Sequence, residues 1–271
     1  MDNIQDIDAY FSGMSATLRD KCWWLNKIPD EIDTIVDYGC AQGDLAIMID
    51  QMASGRFKYI GIDNSPEMLA LARHNHHLHF AKRDSEFYSE LSGIKQKCDT
   101  SKSILVLNSV MHEFFSYLHE AERKALLAEM FGAGFAFVAI RDMYMPESND
   151  TFDVKQAIKK IHDSPYSDMW KEYNSCIDNF TCKGNRPICW YRDAFLRVAE
   201  FLMKYRYISN WRREMNETYF WAWLYDISSE ISLYRYTYLE DFHIQFITDR
   251  VKEDFGIDFS FDTHRKILLA R

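Results

Sequence analysis

The stretch TIVDYGCAQGDLAI (34–47) places an acid, Asp37, two residues before Gly39, with Gly43 four further on, in a chain that has only 10 glycines. Glycine lets a ligand come close to the backbone because no Cβ stands in the way. A dinucleotide turn spaces its glycines G-x-G-x-x-G and holds a pyrophosphate. The spacing here is Asp-x-Gly-x-Ala-x-Gly, and a carboxylate at the mouth of the loop repels a diphosphate and attracts an ammonium or sulfonium. Asp63, 20 residues after Gly43, closes a second apolar run, where a carboxylate can accept both hydroxyls of a ribose. Two more runs end in chemistry-bearing residues, in NSVMHEFFSY (108–117) and AIRDMYMP (139–146). His112 titrates near neutrality and suits a general base. Glu113 could orient it or hold a cationic group, and Arg141 could clamp a carboxylate or phosphate with two parallel N–H bonds. Tyr144 could stack on a flat ligand. Each has a plain alternative: a packed helix start for His112 and Glu113, and a rim ion pair with Asp142 or another acid for Arg141.

These residues need a scaffold that gathers them on one rim. The pattern predicts a helix over 5–29 that ends at Pro29 and strands over 34–39, 58–63, 77–84, 101–110 and 134–143. Helices over 43–53, 65–75 and 119–131 alternate with the strands. The second of these has Ser65 as N-cap, Pro66 at its first position and Glu67 in its first turn. Such alternation gives a parallel sheet covered on both faces. Beyond 147 it stops. Residues 147–231 read as helices dense in Trp, Tyr and Phe, and strands over 233–239 and 264–271 flank one more helix. The expected layout is a core of 1–146 and 232–271 with a helical insertion, 147–231, after the fifth strand, as wall or lid of an acceptor pocket.

VDYGCAQGD and GIDNSPEMLALAR resemble the first two motifs of the class I S-adenosylmethionine-dependent methyltransferases, and LVLNSVMHEF resembles their fourth. The resemblance covers roughly 30 to 145 and, more loosely, the last strands. It implies an α/β, Rossmann-like sheet of seven strands, mostly parallel, with a reversed last strand, and S-adenosylmethionine as methyl donor. By it Asp37, Gly39, Cys40, Ala41 and Gly43 line the methionine part of the donor. Asp63 holds the ribose, with Asn64 and Met68 against the adenine. Asp84 and Ser85, after the third strand, reach the adenine amino group, and Asn108 lies beneath the sulfonium beside Ser109. Ala41 stands where the family usually has glycine. In SATLRDKCWWL, Arg19 or Lys21 sits on a helix that often folds over the donor in this family; either could pair with the donor's carboxylate, and Arg19 is placed in the site.

Net charge is −9, which disfavours broad non-specific attraction to phosphates. No segment has the ~18 uninterrupted apolar residues of a membrane span, and the start lacks a signal-peptide layout. Six cysteines without paired spacing read as reduced thiols and a cytoplasmic protein. HNHHLHF (74–80) fits no known zinc spacing, and no metal is expected. KYRYISNWRREM (204–215) mixes basic and aromatic residues, which suits nucleic-acid stacking or arginines lying over an aromatic core; the acid balance favours the core. The expected activity is methyl transfer to N or O of a small-molecule or nucleotide acceptor. The alternatives are an RNA or DNA methyltransferase and a protein that binds the donor without catalysis; a nicotinamide-dependent oxidoreductase is disfavoured by the glycine spacing. Oligomeric state is not legible.

Overall fold

The computed structural model describes residues 17–79, 85–144, 146, 152–178, 193–220 and 227–271. The strands are β1 (Thr34–Tyr38), β2 (Lys58–Ile62), β3 (Ser85–Tyr88), β4 (Ser103–Asn108), β5 (Phe137–Met143), β6 (Arg235–Phe242) and β7 (His264–Ala270). In β1 and β4 almost every residue is buried, as befits central strands covered by helices on both faces. One sheet results, in the order β3–β2–β1–β4–β5–β7–β6. The first five strands run parallel, while β7 pairs antiparallel with β5 on one side and β6 on the other. The reversed strand is therefore the last in sequence, as expected, and it lies inside the sheet rather than at its edge.

The helices are α1 (Leu18–Lys21), α2 (Asp44–Met52), α3 (Pro66–His79), α4 (Ile94–Lys97), α5 (Met111–Tyr117) and α6 (Glu120–Gly132). After β5 come α7 (Val154–His162), α8 (Ser167–Asp178), α9 (Ala194–Lys204) and α10 (Trp211–Asn216), and α11 (Gln245–Phe255) joins β6 to β7. Ser65 begins α3 as expected, its Oγ accepting the Met68 N–H at 3.3 Å.

Two expectations need correction. The first helix ends at Lys21 instead of running to Pro29, and its expected start over 5–16 lies outside the described residues. The third strand is not 77–84: with no glycine or proline to stop it, α3 continues to His79, and β3 begins at Ser85, level with Tyr59 of β2. Residues 80–84 lie outside the described set.

Helices α7 to α10 build an aromatic core of their own, which α11 completes. Trp170 meets Phe201 at 5.0 Å, and Tyr205 meets Phe255 at 4.8 Å, both edge-on, the offset geometry that ring quadrupoles favour. Cys176 on α8 is in a disulfide, which corrects the reading of six plain thiols; Cys22, Cys40 and Cys98 are free. The Cys182 and Cys189 positions fall outside the described residues. Among the described residues, no helix is long and apolar enough to cross a membrane.

One polar group sits deep in the aromatic core. The Lys204 ammonium is fully buried and donates to Glu200 Oε1 at 2.6 Å, Glu214 O at 2.8 Å and Glu217 O at 2.5 Å. It thereby fixes the segment after α10 against α9. Lys204→Met strips the counter-ion from a buried carboxylate and a donor from two carbonyls, so it should cost about 3–5 kcal/mol in urea unfolding. Adding Glu200→Gln should recover part of the loss. An unchanged midpoint for the single variant would contradict this account.

Candidate active site

The turn from β1 into α2 is strained, and the strain shapes it. Gly39, Ala41 and Gly43 all have positive φ, at 79°, 47° and 81°. A Cβ on Gly39 would stand 2.9 Å from Val110 Cγ2, so only glycine fits. The Gly39 and Cys40 N–H groups donate to Ile62 O at 2.7 and 3.0 Å, pinning the loop to β2. Ala41 bears an alanine in left-handed backbone, which costs ~1–2 kcal/mol. Its N–H donates to Asp63 Oδ2 at 2.9 Å, while Asp63 Oδ1 accepts the Ser65 N–H at 2.9 Å.

Above this turn, at the carboxyl ends of the central strands, lies a cavity of about 770 Å³, within the size range of small-ligand sites. Asp37, Gly39, Cys40, Ala41 and Asp63 line it, joined by Asn64 before α3 and Met68 in its first turn, and so do Asn108, Ser109, His112, Glu113 and Arg141. Three expected residues are elsewhere. Gly43 packs α2 on α3, with its Cβ direction 3.4 Å from Ala72. Ser85 lies at the opposite rim because β3 starts there, against Ala46 and Ile49. Arg19 is exposed and does not line the cavity, whereas Lys21, two residues on, is buried and does. Asp84 lies outside the described residues.

Asp37 is buried and accepts the Tyr59 hydroxyl at 2.5 Å. Burial pushes its carboxyl up to about 6, against the pull of Tyr59 and of the Lys21 ammonium. Burial therefore disfavours an ionised Asp37 more than Tyr59 and Lys21 favour it.

Ser109, with φ 55°, turns the chain sharply from β4 into α5 and sets His112 and Glu113 over the cavity. His112 Nδ1 lies 2.8 Å from Asp142 Oδ1, and its backbone N–H donates to Asp142 Oδ2 at 3.0 Å. Burial works against the imidazolium, but Asp142 outweighs it, with Glu217 and Glu113 adding to it, and the ring is held up to about 9. This corrects the expectation of a base titrating near neutrality, because His112 is already protonated there. Glu113 is the better match. Burial and the Glu217 charge push it up to about 7, against Arg213 and His112, close to the range a general base at neutral pH needs. Arg213 donates to Glu113 Oε1 at 2.7 Å and to Glu217 Oε1 at 2.8 Å, and the Tyr117 hydroxyl also donates to Glu217 at 2.9 Å.

Arg141 pairs with Asp20 at 2.7 Å, not with Asp142. Neighbouring residues of a strand point to opposite faces, so Asp142 turns to His112. Tyr144 lies under Arg265, 4.3 Å from ring centre to guanidinium, and does not line the cavity. Sequence reasoning missed Asp142, Arg213 and Glu217 as site residues. The i, i+4 spacing of Arg213 and Glu217 was a usable signal; nothing in the sequence pointed to their meeting Glu113.

The model of a family described as a methyltransferase domain matches residues 35–133. The ribosomal protein L11 methyltransferases of Burkholderia mallei and Burkholderia pseudomallei are each 37% identical over 67 residues, 25% of this chain and 22% of theirs. The match thus spans under a quarter of those relatives' length. Among solved structures, magnesium protoporphyrin IX methyltransferase from Synechocystis PCC 6803 is 12% identical, with a TM-score of 0.47 over 96% of this chain and 84% of that one. The pyocyanin biosynthetic protein PhzM is 13% identical, with a TM-score of 0.48 over 97% of this chain and 57% of that one.

Two pH effects follow from the site. Asp37 has a folded value of about 6 against an ordinary 3.8, so its contribution to stability is full below 3.8 and is lost as pH rises through 6. Asp37→Asn avoids that loss and should stabilise the ligand-free protein by about 3 kcal/mol at pH 8 relative to pH 4; paired denaturation curves check it. His112 has a folded value of about 9 against 6.5, so its contribution is full below 6.5 and fades as pH rises through 9. Stability should fall between pH 7 and 10, less so in Asp142→Asn, and an imidazole resonance titrating near 6.5 by NMR would refute the assignment.

Proposed function

We infer that this chain, whose residues 35–133 belong to the methyltransferase-domain family, transfers a methyl group from S-adenosylmethionine to N or O of a small-molecule acceptor. The observation that carries this reading is one cavity lined both by Asp37 and Asp63 and by Glu113, Arg213 and His112, the last paired with Asp142.

When bound, S-adenosylmethionine supplies a methyl group already activated on a sulfonium. The protein's work is then chiefly positioning, which can be worth ~7–11 kcal/mol. Asp37 offers a buried carboxylate to the donor's positive charge, and Asp63 accepts the ribose hydroxyls. Asn108 Oδ1, buried without a partner, gives a dipole for the positive centre. Glu113 takes the acceptor's proton as its nucleophilic atom attacks. The His112 imidazolium, held by Asp142, balances the neighbouring carboxylates.

The residues after β5 form the acceptor wall in this reading: Met203, Tyr207, Arg213, Glu214, Glu217 and Tyr219 all line the cavity. A small acceptor is favoured over a nucleic acid because three of the four basic residues at 204–215 are engaged internally. Lys204 is buried, Arg206 makes two 2.8 Å bonds to Asp254, and Arg213 bridges Glu113 and Glu217.

S-adenosylmethionine or S-adenosylhomocysteine at 100 times Kd should stabilise the protein by about 2.7 kcal/mol, seen as a raised melting temperature, while a nicotinamide dinucleotide should not. Asp63→Asn should weaken binding about tenfold or more by calorimetry. No heat with either sulfur nucleoside would end this reading. Labelled-methyl transfer into fractionated cell extract then identifies the acceptor, and steep salt dependence would turn the case toward a polymer.

A further inference from the structure

The Asp37 carboxylate is held by a group outside the cavity lining. β1 and β2 pair in parallel, with Ile35 level with Tyr59 and Asp37 level with Gly61. Alternate residues of a strand share a face, so Ile35, Asp37, Tyr59 and Gly61 lie on one face of the sheet. Level with Asp37, β2 has only Gly61, and the space there is already taken. A Cβ on Gly61 would stand 2.7 Å from Phe87 Cδ1 and 2.8 Å from Cys40 Sγ. The polar partner comes instead from Tyr59, two residues earlier, whose hydroxyl donates to Asp37 Oδ2 at 2.5 Å. Tyr59 is 4% exposed and Asp37 is 3% exposed; Asp37 lines the cavity and Tyr59 does not. Among the described residues, no other hydrogen bond or ion pair reaches the Asp37 carboxylate. Its Oδ2 is therefore committed to β2, and its Oδ1 is not.

The other charged and titratable groups that face Asp37 act through space. Lys21 on α1 favours the carboxylate, and Asp63, just past β2, opposes it. The Cys22 and Cys40 thiols feel it too, and burial followed by the Asp37 charge keeps both protonated. Burial also comes first in holding the Tyr59 hydroxyl well above its usual range, with Asp37 adding to it. Tyr59 thus remains a donor, and a hydrogen bond to a charged group is stronger than one to a neutral group. Phenylalanine would fill the same space beside Phe87, whose ring centre is 6.1 Å from that of Tyr59. The hydroxyl is what distinguishes the two side chains, and the hydroxyl meets Asp37.

We propose that Tyr59 is a positioning residue for the methyl donor: its hydroxyl fixes Oδ2 of Asp37 so that Oδ1 faces a positive centre of the bound nucleoside. The inference rests on the donor reading. S-adenosylmethionine carries two such centres, an ammonium and a sulfonium. S-adenosylhomocysteine keeps the ammonium alone, and methylthioadenosine has neither. One hydrogen bond then serves twice, orienting the carboxylate and supporting its ionised form.

The test uses the full chain with Tyr59→Phe and Asp37→Asn, alone and together, each checked by circular dichroism. Calorimetry follows the three nucleosides between pH 5 and pH 8. Donor affinity of the wild type should rise as pH passes through about 6, where Asp37 ionises. Tyr59→Phe should move that rise up by about one pH unit and weaken binding at the midpoint about tenfold. Methylthioadenosine should bind wild type and Tyr59→Phe alike, and Tyr59→Phe should add nothing to Asp37→Asn. A response of S-adenosylmethionine alone identifies the sulfonium as the centre that Asp37 meets; an equal response of S-adenosylhomocysteine identifies the ammonium. An unmoved pH profile in Tyr59→Phe, an equal loss for methylthioadenosine, or a further loss on top of Asp37→Asn overturns the proposal while the donor reading stands. If none of the three nucleosides binds, the donor reading itself fails, and this inference with it.

Discussion

The Asp63 carboxylate holds together two loops that would otherwise move independently. One oxygen accepts the Ala41 N–H from the turn after β1, and the other accepts the Ser65 N–H at the head of α3. Those contacts offset the left-handed strain at Ala41 and set the floor of the cavity. The floor in turn dictates where the rest can lie: the Gly39 turn presses on Val110, Val110 leads into α5, and α5 carries His112 and Glu113. A half-buried carboxylate that accepts backbone donors on both oxygens is well placed, because a charge partly taken from water must be met by hydrogen bonds.

Charge is unevenly distributed around the cavity, and the unevenness follows from which element reaches each rim. The helical segment after β5 contributes Glu214 and Glu217 beside Glu113, with Arg213 and His112 as partial compensation. The α1 side contributes Lys21 and Arg141. Burial penalises the carboxylates at 113 and 214, both being pushed up to about 7. The segment from 211 to 219 is held in place by the buried Lys204–Glu200 pair, so a contact outside the cavity controls its acidic wall.

Most strands, the acids at 37 and 63 and the two glycines of the first turn were legible because each is a local pattern. A buried strand must be apolar throughout, and the chain must reverse in a loop that admits positive φ. The strand reversal at the end came from the family resemblance and not from any local pattern. The third strand was misread because a polar, histidine-rich helix end and a short strand have similar local patterns. Its start at Ser85 moved that residue to the far rim. Arg19 and Lys21 could not be separated by type, since which one faces inward depends on how a single helical turn packs on α2 and on Asn108 at the end of β4.

By itself the sequence determined the alternation of strands and helices and, to within two residues, the ends of the first, second, fourth and fifth strands, because backbone periodicity and glycine conformation are local. Only the tertiary structure decided the protonation and partners of those residues. His112 became an imidazolium because Asp142, 30 residues away, turns to the opposite face from Arg141. Glu113 approached neutrality because Glu217, 104 positions along the chain, lies within its field. Such effects depend on burial and distance between remote segments, which no local pattern encodes.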